Sequence, residues 1–101
     1  MFVKLSADDS VSLEDSGNFR AFKLVIEKTG PDAARAKLAG TAEFIDDTHA
    51  WILEAALRAR PEVAQDAAWQ QSLGAMIEKA RPHGWIDEAR KAIKAHVEWL
   101  P

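Results

Sequence analysis

The sequence predicts an α+β fold: two β-hairpins forming a small antiparallel sheet, packed by several helices concentrated in the C-terminal half. Three observations predict it. Residues 2–14, "FVKLSADDSVSLE", alternate apolar and polar residues on both sides of a polar turn. Residues 41–54, "TAEFIDDTHAWILE", repeat that outline around a second Asp-Asp pair. Alanine is abundant, especially after Pro31, and from Leu53 onward apolar residues recur at helical spacing.

In the first segment, period-two alternation places Val3, Leu5, Val11 and Leu13 on a core face and Lys4, Ser12 and Glu14 toward water. The next stretch, "DSGNFRAFKLVIEKTG", admits two readings. As a strand it groups Phe22, Leu24 and Ile26; as a helix it groups Phe19, Phe22, Val25 and Ile26. Its length, the Ser16 and Asn18 start signals and Gly30 as a stop select the helix. Pro31 suits a first helical turn, so "PDAARAKLAG" reads as a short helix stopped by Gly40. Residues 41–54 form the second hairpin, with a helix over 50–60 as the alternative.

Pro61 ends the helix "LEAALRARP". Asp66 can cap the next, whose stripe Trp69, Leu73, Met76, Ile77 and Ala80 lies on one side. Gly74 inside it weakens the helix unless a neighbour packs closely there. "RPHG" is a turn, and Asp87 can cap a last helix, "EARKAIKAHVEWL".

The 101 residues fit one domain, 1–101, with an ordinary globular composition. The net charge of −3 gives no general attraction to nucleic acid or anionic lipid. Without cysteine there is no disulfide, thiolate metal site or cysteine nucleophile. No apolar run is long enough to span a bilayer, and the first residues lack a signal-peptide core, so a cytoplasmic protein is expected. A phosphate-binding glycine loop, a Gly-x-Ser-x-Gly elbow and a His-Glu-x-x-His motif are all absent.

The densest polar cluster is "FIDDTHAWILE", with Asp46 and Asp47 beside His49. Zinc accepts carboxylate and imidazole, but adjacent strand residues point to opposite faces, so the two aspartates would not converge. The first hairpin carries the same Asp-Asp pair followed by serine, without histidine. The shared part therefore reads as turn chemistry, and no metal or other cofactor is expected.

Three functional readings follow. The preferred one is a small non-enzymatic interaction or subunit protein, a homodimer, with an interface through Trp85, His96 and Trp99. On a helical wheel the last helix carries two adjacent apolar stripes, one of which could meet a second copy. The alternative is a small-molecule-binding protein or an enzyme with a pocket near His49, Trp51 and His96. A third, a helix-turn-helix-like DNA binder, would set Arg90, Lys91 and Lys94 on phosphates. Asp87 and Glu98 fall among these bases and oppose it, so nucleic acid is not an expected partner. A concave pocket holding polar residues would favour the ligand reading; a flat exposed apolar patch would favour the interaction reading.

Overall fold

The computed structural model describes all 101 residues. The chain runs β1 (Phe2–Leu5), β2 (Val11–Glu14), β3 (Lys23–Glu27), α1 (Pro31–Lys37), β4 (Ala42–Phe44), β5 (His49–Leu53), α2 (Glu54–Arg58), α3 (Ala67–Ala80), β6 (Ile86–Asp87) and β7 (Ala92–Leu100). A short 3₁₀ turn, Arg81–His83, joins α3 to β6.

Both expected hairpins form. β1 pairs antiparallel with β2, Val3 opposite Leu13 and Leu5 opposite Val11. β4 pairs antiparallel with β5, Ala42 opposite Ile52. Val3, Leu5 and Leu13 are buried as expected, while Val11 is half-buried near the sheet edge. The hairpins do not meet each other. The sheet has seven strands in the order β2-β1-β3-β7-β5-β4, with β6 also paired to β7. It is mixed, since β3 runs parallel to both β1 and β7. The α+β class holds, but the small antiparallel sheet of two hairpins is replaced by this larger one.

Two segments read as helices are strands, and they fill the centre of the sheet. In β3, Leu24, Val25 and Ile26 are all buried. Leu24 and Ile26 join the main core, whereas Val25 lies on the other face between Lys4 and Glu98. A strand covered on both faces alternates only weakly, so the strand grouping of Phe22, Leu24 and Ile26 had no clear advantage over the helical one. The last nine-residue strand, β7, corrects the C-terminal helix. Ile93, Ala95 and Val97 are buried, and Lys94, His96 and Glu98 alternate with them on the partly exposed face. Asp87 caps no helix; its carboxylate instead accepts from the Arg90 amide at 3.0 Å in the turn that leads into β7.

The helical signals elsewhere are accurate. Pro31 opens α1 and Gly40 follows it at φ 83°. Asp66 caps α3 by accepting from the Trp69 amide at 3.0 Å. Trp69, Leu73, Ile77 and Ala80 are buried and Met76 is half-buried. Beside Gly74 stands the Arg58 side chain, and a Cβ built there would meet it at 3.7 Å, an ordinary contact. The helices and the inward sheet face share one core, in which Val3, Leu24, Ile52, Ile93 and Val97 meet Leu38, Leu57 and Leu73. No helix is long and apolar enough to cross a membrane.

Candidate functional site

The site arises from a competition for one edge of β7. The other edge of β7 is occupied by β5 from Ala92 to His96. β6 must therefore share the remaining edge with β3. It pairs only at Ala92 and Ile93, whereas β3 joins at His96. The Lys94 amide still donates to the Trp85 carbonyl at 2.8 Å. Around Ala95 this edge has no strand beside it, and a cleft of about 860 Å³ opens there. That volume falls in the ordinary range for small-molecule sites.

Five pieces of chain line the cleft. β7 contributes Ile93 to His96, with Ile93 and Ala95 on its core face and Lys94 and His96 on the other, and β5 contributes His49. α3 adds Met76 and Lys79 among others, and Phe19 to Phe22, ahead of β3, add a further stretch of wall. His83 and Trp85 form the rim, with rings stacked at 4.5 Å. The Phe19–Phe22 wall is held from both ends. The Trp69 indole donates to the Ser16 carbonyl at 2.8 Å, and the Met1 nitrogen donates to the Asn18 and Ala21 carbonyls at 2.9 and 3.0 Å.

All three histidines of the chain line this cleft. His49 and His96 stand directly opposite on β5 and β7, their rings edge to face at 5.5 Å. Despite this gathering, no three metal-ligating side chains converge. Trp51, expected near the pocket, lies two residues along β5 from His49 and opposite Lys94, but does not line the cleft.

The cluster around Asp46 is a hydrogen-bonded turn that also holds His49. Asp46 Oδ1 accepts from the Thr48 amide at 2.8 Å, the Thr48 hydroxyl at 2.8 Å and the His49 amide at 2.9 Å. The bonds from the Thr48 hydroxyl and amide hold the Asp46 carboxyl below the usual carboxylate range. Asp8 makes the matching turn with the Ser10 amide and hydroxyl, at 3.1 and 2.7 Å. The structural reading of the Asp-Asp-Ser/Thr element therefore holds. His49 is the addition, with Nδ1 2.8 Å from Thr48 Oγ1.

The electrostatics of the cleft are one-sided. Its lining includes Arg20, Lys79, Lys94 and the three histidines, and no carboxylate. None of these three cations is in an ion pair, whereas eight of the ten lysines and arginines elsewhere are. One acid stands close by: Asp46 Oδ1 is 3.7 Å from His49 Nδ1, without Asp46 itself lining the cleft.

The three residues assigned to an interface do not act together. Trp85 and His96 belong to the cleft, while Trp99 stacks on Phe44 at 5.8 Å and donates to the Asp47 carbonyl at 2.7 Å. The two apolar stripes do not exist on a strand, and the helix-turn-helix reading loses its second helix. Arg90, proposed for phosphate contact, is paired with Asp87 and Glu43. Sequence reasoning missed Arg20, Phe22, Met76, Lys79 and His83 as lining residues; they come from three separate segments, and no local pattern joins them. No protein-family model matches the chain, and no curated protein or solved structure matches it either.

Proposed function

We propose that this protein binds a small organic anion with an apolar body in the cleft at the open edge of β7. One observation carries the reading: three cations without ion pairs and three imidazoles line a concave site that contains no carboxylate. Leaving a lysine unpaired beside other cations is unfavourable in the empty site, and an incoming anion relieves that repulsion. Phe22, Ala75, Met76, Trp85 and Ile93 offer apolar surface for the rest of the ligand. The charged groups give orientation and the apolar wall gives area.

Self-association has less behind it. The exposed large hydrophobic residues are Ile45 and Trp85. Trp85 is on the cleft rim, and Ile45 lines a separate shallow depression with Trp99. They do not make one flat patch of the size that marks an interface.

The test is a titration with two dyes of similar apolar bulk, 8-anilinonaphthalene-1-sulfonate and the uncharged N-phenyl-1-naphthylamine. Half-exposed Trp85 supplies an intrinsic quenching signal. Saturable one-to-one binding of the anionic dye, at least about tenfold tighter than the neutral one, is expected; tenfold corresponds to about 1.4 kcal/mol. Equal affinity for both dyes, or no saturable binding, would remove the reading.

A further inference from the structure

We infer that His49 is a tautomer-locked general base that takes a proton from an organic acid bound in the cleft. The inference rests on the anion-binding reading and adds a reaction to it. Thr48 Oγ1 is 2.8 Å from Asp46 Oδ1 and 2.8 Å from His49 Nδ1. An ionised carboxylate can only accept, so the threonine proton goes to Asp46. The same hydroxyl oxygen must then accept from His49, which puts the imidazole proton on Nδ1. Nε2 is left with a lone pair, on a ring that lines the cleft. The opposite tautomer would leave two acceptors, Nδ1 and Asp46 Oδ1, competing for one hydroxyl proton. A base oriented by a second polar group, itself fixed by a third, is the usual build of an acid–base site.

The groups around His49 suit proton removal. Asp46 Oδ1 lies 3.7 Å from Nδ1 and stabilises the imidazolium that forms. Lys94 and His96 line the cleft beside His49 and can hold the negative charge left on the substrate. The matching substrate class is a carboxylate with an acidic C–H next to a carbonyl and an apolar or aromatic tail. In the step, the substrate C–H bond breaks as the Nε2–H bond forms. The C–H electron pair moves into an enolate, and the proton then returns from Nε2 or exchanges with solvent. No oxidant, reductant or further reactant is needed.

Phenylpyruvate has each of these features and serves as the probe. Two measurements on the whole protein test the inference. The first needs no ligand: long-range ¹H–¹⁵N correlation of the histidine rings at about pH 8. His49 should show a protonated Nδ1 and a bare Nε2, and Thr48→Val should shift it toward the Nε2–H form. The second is deuterium exchange at the phenylpyruvate methylene in D₂O, followed by NMR. Exchange should run roughly 100-fold faster than in buffer, the lower end for general-base catalysis. His49→Gln should return it to the buffer rate, and Thr48→Val should slow it several-fold. If wild type binds the anionic dye but His49 carries its proton on Nε2, or exchange runs at the buffer rate, this inference is overturned and the binding reading stands. If the dye does not bind, the binding reading fails and takes this inference with it.

Discussion

Reversing one charge in the cleft should weaken an anion far more than the same reversal elsewhere. Five cations make no ion pair: Arg20, Lys79 and Lys94 in the cleft, and Lys28 and Lys91 outside it. Lys94→Glu and Lys28→Glu change the net charge equally, so the pair separates local from global electrostatics. Two unit charges about 4 Å apart interact by about 1 kcal/mol in water and about 4 kcal/mol at a protein-surface effective dielectric. Lys94 is half-buried, and a site open to solvent lies toward the lower value, so we take about 1 kcal/mol for its attraction. Reversal replaces that attraction by a repulsion of similar size, about 2 kcal/mol in all, or roughly 30-fold in Kd. Lys28→Glu, acting from outside the cleft, should change Kd less than about twofold in 0.15 M salt, where screening operates over about 8 Å. The assay is the dye titration at low and moderate salt. Wild type should lose affinity with added salt more steeply than Lys94→Glu. Equal losses from both variants would mean that only net charge matters, and no loss from either would mean that the dye sits elsewhere; both outcomes refute the argument.

Other expectations concern the frame that holds the cleft. Trp69→Phe removes the indole bond to the Ser16 carbonyl; it should cost about 1–2 kcal/mol in urea unfolding and also weaken dye binding, because the Phe19–Phe22 wall loses its tie to α3. Gly74→Ala should stabilise by up to about 1 kcal/mol, since the site is helical and its nearest neighbour stands at ordinary contact. Gly84→Ala should destabilise by about 1 kcal/mol because φ there is 76°; thermal melts moving in the same direction for both glycines would contradict this. Glu62 accepts from the Leu13 amide at 2.6 Å. Although burial pushes its carboxyl up, the Leu13 bond and Arg60 hold it below the ordinary value of 4.5. A depressed folded value means stability that is present above the unfolded pKa and lost as pH falls through the folded one. Wild type should therefore exceed Glu62→Gln by about 0.5–1 kcal/mol at pH 7, and urea melts should show that gap closing below pH 4.5.

How much of this was legible in the sequence depends on whether one segment or several carried the signal. The two hairpins, the Asp66 cap and the stripe of α3 are local patterns, and each formed where expected. Two local patterns were misread for physical reasons. "LVI" is buried on both faces, so its apolar run has no clear period to identify it. "AIKAHVEWL" does alternate, as Ile93, Ala95, Val97 and Trp99 against Lys94, His96 and Glu98. Alanine, lysine and glutamate nevertheless favour helix, and the same residues can be gathered into stripes on a helical wheel. Propensity and wheel agreed on the wrong answer, and pairing with β3 and β5 overrode both, as sheet contacts commonly do. The error then spread, because every functional argument built on a C-terminal helix inherited it. His49 and His96 show the opposite case. They were singled out from separate segments for local reasons, and the structure sets them directly across from each other. The antiparallel register of β5 on β7 makes them neighbours, and no spacing within either strand encodes that. The cleft lies a step further from the sequence again. It exists because β6 leaves β7 after Ile93 and β3 reaches it only at His96. A site made from the gap between two strands is a property of chain order and register. Its cations could be recognised as a set only once their neighbours, and the absence of carboxylates among them, were known.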